Sequence, residues 1–182
     1  MTNRMLHHDL IKYGLIILPL VLMNCSIDIV ARTQRDKFLS AHSAHNAERR
    51  KLGVPLLVWD NTLATFAAKY AANQDRVGAG CSGNLRHSNG PYGENLYWYW
   101  TSTRALATPG QALASWISEK QDYNYRTNTC AWGKECGHYT QVVWAKTRRV
   151  GCVAHACASN HGATYVICNY NPPGNYIGQR PY

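Results

Sequence analysis

The sequence has no apolar run long enough to cross a bilayer: its longest, 14–23, has about ten residues where about 20 are needed, and Pro19 interrupts it. It has no Cys-x-x-Cys pair, which excludes zinc fingers and thioredoxin-like redox sites. There is no His-Glu-x-x-His helix, so a zincin is excluded. The absence of a glycine-rich phosphate loop and of a Gly-x-Ser-x-Gly elbow removes nucleotide binding and serine hydrolysis. No nucleic-acid recognition motif is present, and nucleic acid is not an expected partner. No repeat, low-complexity tract or Pro/Gly linker divides residues 32–182, which read as one domain. Acidic residues are scarce, 10 against 19 Lys plus Arg, and Phe occurs only twice against 6 Trp and 12 Tyr. The rings are therefore mostly amphipathic ones, suited to half-exposed positions.

What is there begins with a segment for export. Arg4 and Lys12 flank the short apolar run, and the small-residue exit Ile29-Val30-Ala31 follows. Residues 1–31 read as a secretory signal peptide cut near Ala31. Cutting there removes two basic and two acidic residues, so the remainder keeps 17 against 8 and the net +9 of the full chain. Cys25 also goes, leaving Cys81, Cys130, Cys136, Cys152, Cys157 and Cys168, an even set that predicts three disulfides in an oxidising compartment. Counting alone leaves about 15 pairings open.

Helical spacing of Phe38, Ala41, Ala44 and His45 predicts a first helix over 34–50, stopped by Gly53 and Pro55. Asp60 is placed to cap a second, with Leu63, Phe66, Ala67, Tyr70 and Ala71 on one face, ended by Gly78 and Gly80. Residues 81–107 read as irregular and aromatic. Thr108-Pro109 opens a third helix running to about Lys120. Tyr139–Trp144 suits a strand or a helix turn equally. The β-rich runs 150–155 and 163–170 flank a turn at Ser159–Gly162 and predict an antiparallel hairpin. The tail from Asn171, with Pro172-Pro173-Gly174, reads as irregular and surface-lying. Helices early and strands late give the α+β class.

Four residues carry candidate chemistry. His87 and Glu94 bracket an exposed turn, Glu119 closes the third helix, and His138 follows Gly137 beside Cys136. Two imidazoles and two carboxylates suit a zinc-like ion, although spacing alone cannot bring them together and each histidine can equally be an ordinary polar residue.

Several long segments resemble one family. His87-Ser-Asn-Gly-Pro-Tyr-Gly-Glu-Asn-Leu96, Gly137-His-Tyr-Thr-Gln-Val-Val-Trp144 and Cys168-Asn-Tyr-Asn-Pro-Pro-Gly-Asn-Tyr176 are similar to signatures of the plant pathogenesis-related 1 proteins, within the CAP superfamily. His45-Asn46, Gly53-Val-Pro55, Trp59-Asp60 and Asp122-Tyr-Asn-Tyr125 fit the same template, from about residue 38 to 182. The resemblance implies a three-layer α-β-α sandwich over 32–182 and the pairing Cys81–Cys157, Cys130–Cys136 and Cys152–Cys168. It also implies that His87, Glu94, Glu119 and His138 line a central cleft able to hold zinc or magnesium, with no cofactor required. Tyr92, Tyr97 and Trp100 match the aromatic spacing of the family's sterol-binding loop, or else pack that loop against the domain.

The function implied is a secreted defence protein, monomeric, in the apoplast or the vacuole, that captures sterol or another pathogen lipid and is not an enzyme. One alternative is a metal-dependent hydrolase with Glu94 or Glu119 as base. Another is a precursor that releases Pro172–Tyr182 as a signalling peptide, although Asn171 stands where the family often has Asp. The clusters Arg49-Arg-Lys51 and Lys146-Thr-Arg-Arg149 read as solvated surface or as attraction to anionic wall polysaccharide or microbial membrane.

Overall fold

The computed structural model describes residues 40–182. The expected signal peptide, Cys25 and Phe38 lie outside the described residues.

Helix α1 (40–51) ends at Gly53, whose φ of +68° is open to glycine at little strain. A two-residue strand, β1 (Val58–Trp59), leads to Asp60. That side chain accepts from the amides of Thr62 and Leu63 and caps α2 (Asn61–Arg76), as its sequence predicts. Thr108 and Gln111 form a capping box at the start of α3 (Pro109–Ser118), with the proline in the first turn where no amide is missed. Short strands β3 (Tyr123–Asn124) and β4 (Thr129–Cys130) pair with each other. The segment 139–144 resolves as helix: α4 spans Gly137–Val142. The hairpin is formed by β5 (Arg149–Ala156) and β6 (Ala163–Asn171), with Cys152 opposite Cys168.

The stretch expected to be irregular holds the main departure. It contains a 3-10 turn at Gly80–Ser82 and an eight-residue strand, β2 (Gly93–Trp100), antiparallel to β6. The main sheet runs β1-β5-β6-β2, with β1 parallel to β5. β2 escapes a period-two search because both of its faces are covered, so apolar and polar residues do not alternate along it.

Helix α2 covers one face of the sheet. Ala67 and Ala71 pack there with Leu96, Tyr165 and Ile167. The other face receives α1, α3 and α4 through Ala41, Leu113, Trp116, Tyr139 and Val142, against Val150, Val166 and Tyr170. Successive β6 residues thus serve opposite layers, and its first eight are all buried. This is the three-layer α-β-α arrangement. Disulfides join Cys81 to Cys157, Cys130 to Cys136 and Cys152 to Cys168.

Two surface readings change. Arg49 belongs to no solvated cluster: it is fully buried and donates to the carbonyls of Pro55, Val142, Trp144 and Thr147 at 2.7–3.0 Å. The tail is irregular but fastened. The Thr147 hydroxyl donates to Pro172 O, Gly174 N to Gln141 Oε1, and Ala145 N to Pro181 O at 2.6 Å, with Pro181 buried. A Cβ on Gly174 would meet the Trp144 ring at 2.7 Å, so only glycine allows this approach.

Candidate functional site

The candidate cleft is built from β2 outward. Consecutive strand residues point to opposite faces, and Glu94 and Asn95 use this to hold one histidine each. Glu94 Oε1 accepts from His87 Nδ1 at 3.0 Å and from Ser88 N at 2.8 Å, while its Oε2 accepts from Asn169 Nδ2 at 3.2 Å. Asn95 Nδ2 donates to His138 O at 3.0 Å and to the Tyr170 hydroxyl, which also meets His45 Nε2 at 2.9 Å. His45 and Asn95, both buried, thereby fix the backbone at His138.

Glu119, at the C-terminal end of α3, completes the second pair. Its Oε1 accepts from His138 Nδ1 at 2.7 Å, and its Oε2 accepts from the amides of His138 and Tyr139 at 3.1 and 3.0 Å. Those are first-turn amides of α4, a helix with no side-chain cap of its own, so the carboxylate also caps it. The His138 ring stacks on Trp116 at 5.9 Å between centroids.

The electrostatics follow. Glu94 is pushed up by burial, but the bonds from His87, Ser88 and Asn169 outweigh this and hold it below the usual carboxylate range. The bond to Glu94 raises His87 above the usual histidine value, against a smaller opposing effect of burial. The side chain of Glu94 is only 4% exposed and that of His87 is 60% exposed.

Each pair spends its imidazole Nδ1 on a carboxylate, leaving Nε2 of His87 and His138 with no bond among the described residues. A carboxylate behind an imidazole is the arrangement that orients a histidine metal ligand. Each pair therefore presents one imidazole nitrogen with a carboxylate supporting it from behind, as a histidine ligand of a divalent cation would be held. Among the described residues, no three donor atoms of this set lie within 4.8 Å of one another. The group that does meet that distance is Asp75, Cys81 and Cys157. It is no metal site, because the sulfurs form a disulfide and both Asp75 oxygens accept bonds from the hairpin turn.

The aromatic residues are separated by the same strand. Tyr97 packs with the layer of α1, α3 and α4, whereas Leu96 and Trp98 pack with α2. Tyr92 stands edge-on to Phe66 at 5.2 Å. Trp100, 49% exposed, shares the parity of Leu96 and Trp98 and ends the strand, about 20 Å from Glu94 at the strand's rise per residue. The three rings do not form one continuous face beside the cleft. Leu106, also exposed, precedes Ala107, whose amide donates to the Thr164 hydroxyl of β6.

A pocket of about 300 Å³ lies elsewhere, between the 130–137 loop and the tail, and none of His87, Glu94, Glu119, His138 or the three aromatic residues lines it. Its signal in the sequence was weak, since it combines segments about 40 residues apart that only the fastened tail brings together.

Comparison with known proteins agrees with this architecture. The cysteine-rich secretory protein family (CAP) matches residues 42–170. Pathogenesis-related protein PR-1 from Medicago truncatula is 46% identical over 152 residues, covering 84% of this chain and 81% of that one. Among solved structures, Schistosoma mansoni venom allergen-like protein 4 has a TM-score of 0.61 at 25% identity, covering 80% of this chain and 93% of that one. NaASP2 crystallised with Zn2+ has a TM-score of 0.58 at 22% identity, covering 82% and 84%, a likeness of fold.

Proposed function

This chain belongs to the CAP family, with relatives among the plant pathogenesis-related 1 proteins, and from that premise we propose that it is a secreted plant defence protein that acts by binding rather than by hydrolysis. The observation that carries this reading is the half-exposed Trp100 indole at the end of β2 in a chain of this family. Glu94 and Glu119 each accept three hydrogen bonds, one from an imidazole and two from other N–H groups, and in this reading they serve as supports for the histidines. The ligand proposed is a sterol or a comparable flat lipid, with its contact at Trp100, a half-exposed indole at the end of β2. Tyr97 is partly buried against the core on the other face of the strand.

Titration of labelled cholesterol into wild type and Trp100→Ala tests this. Weakened binding with an unchanged melting temperature is expected. Equal binding by the two proteins would refute Trp100 as the contact.

The freed Nε2 atoms favour a second property of the same molecule. His87 and His138 would hold a divalent cation, which when bound supplies Lewis acidity at the cleft. Zinc titration by calorimetry should give saturable heat with wild type and none with His87→Ala/His138→Ala, while identical traces would remove the site.

A further inference from the structure

Among the described residues, the most exposed apolar side chains lie at neither of these places. Trp132 and Ile177 are both wholly exposed, and Tyr176 is half exposed. An exposed patch of large apolar side chains, unlike a singly exposed one, marks a surface for interaction. The two segments that carry them meet at one pocket. The pocket of about 300 Å³ is walled by Cys130, Lys134 and Cys136 on one side and by Tyr176, Gly178 and Gln179 on the other, so Trp132 and Ile177 rise from its two rims.

Both rims are rigid. The Trp132 loop is closed by the Cys130–Cys136 disulfide, and Lys134 N bonds back to Ala131 O at 3.0 Å. The opposite rim is tied through the Thr140 hydroxyl to Asn175 Oδ1 at 2.7 Å and Asn128 Nδ2 to Gln179 O at 3.2 Å. Ordering entropy is thus already spent before any surface is met.

Positive charge predominates around this face. Arg126, Lys134, Lys146 and Arg180 are exposed there, Lys146 reaching Gln179 and Arg180 donating to the Tyr125 and Arg126 carbonyls. The acid on the pocket wall, Glu135, turns one oxygen to the amides of Cys136 and Gly137. An indole and an aliphatic tip ringed by cations match the boundary of an anionic bilayer, where rings sit at headgroup depth and Lys or Arg meets phosphate.

We propose that the face formed by the 130–136 loop and the tail docks on anionic lipid membrane, with Trp132 and Ile177 entering the headgroup layer and Arg126, Lys134, Lys146 and Arg180 meeting lipid phosphates. This gives the net +9 charge a working location. It extends the lipid reading but does not share its contact: the tail meets β2 at Gly93, and Trp100 ends that strand about 23 Å away.

Co-sedimentation with sterol-free vesicles tests it, comparing phosphatidylcholine mixed with phosphatidylglycerol against phosphatidylcholine alone. Binding to the mixed vesicles only, weakening with added salt, is expected. Trp132→Ser/Ile177→Ser should lose about tenfold or more in partitioning. Lys134→Gln should lose about fivefold. Trp100→Ala should partition as wild type does, and because the substituted side chains are exposed, all variants should melt as wild type does. The proposal is overturned by absence of binding to the mixed vesicles, or by undiminished binding of the Trp132/Ile177 variant. It is equally overturned if soluble polygalacturonate binds with the same charge dependence and displaces the protein from the vesicles, which would assign the face to wall polysaccharide. Failure here leaves the cholesterol titration untouched, so the two readings fall separately.

Discussion

Asp75 carries more of the fold than its position at the end of α2 suggests. Its carboxylate accepts from His155 Nε2, the amides of Ala158 and Ser159, and the Ser159 hydroxyl, joining the helix to the β5–β6 turn. Burial pushes the group up, but these four bonds outweigh burial and leave it well below its ordinary 3.8. A carboxyl depressed in the folded state contributes stability that is complete above about pH 4 and is lost as pH falls further. His45 acts in the same direction. Burial lowers it from 6.5 to about 4, so stability declines as pH falls from 6.5 toward 4 and the buried imidazole must take a proton. His87 runs the other way, contributing below pH 6.5 and losing that as pH rises through its raised value, but its exposure keeps the effect small. Denaturant unfolding across pH should therefore show progressive acid lability. Asp75→Asn should be about 2 kcal/mol less stable near pH 6 and show a flatter profile below pH 4. Arg49→Ala, which strips donors from four carbonyls, three of them buried, should cost about 3 kcal/mol or more, and Arg49→Lys should recover little because an ammonium cannot reproduce the fork. The importance of Arg49 was not legible in Arg49-Arg-Lys51, because three adjacent cations look alike until the helix turns one of them inward.

At the scale of elements, legibility followed local chemistry. Asp60 and Thr108-Pro109 mark helix starts because capping is settled within four residues. The β5–β6 hairpin was readable from its two β-rich runs. β2 was not, since its identity depends on α2 covering one face and on α1, α3 and α4 covering the other. Reading β2 as loop had a direct consequence for the site, because a loop can gather Tyr97 and Trp100 on one surface and a strand separates them. His87, Glu94, Glu119 and His138 were identifiable as residues, but their division into two pairs rests on Glu94 and Asn95 pointing to opposite faces. The tail gives a prediction of its own. Its bonds through Pro172, Gly174, Asn175 and Pro181, together with the stacking of Tyr182 on Tyr125 at 4.6 Å, do not depend on the Asn171–Pro172 linkage. If that bond is cut, residues 172–182 should remain attached and co-elute in gel filtration, and Gln141→Ala should weaken their retention.

For the whole molecule, the sheet sets a polarity. The end where β6 runs into the tail holds the two histidine–carboxylate pairs and the cationic, apolar docking face. The opposite end, beyond the β5–β6 turn, holds Trp100 and Leu106. Disulfides bind each end to the core, Cys130–Cys136 at the first and Cys81–Cys157 at the second. Among the described residues no helix is long and apolar enough to cross a membrane. In the function proposed here the protein holds a ligand, and Glu94 and Glu119 support the imidazoles of His87 and His138. The most direct measurement is equilibrium binding of cholesterol to the purified protein, with and without zinc and with a chelator. Saturable binding at micromolar affinity or tighter, weakened by Trp100→Ala and indifferent to the chelator, is the predicted result. Binding that is absent under every condition, or that appears only with zinc and disappears in His87→Ala/His138→Ala, would contradict it.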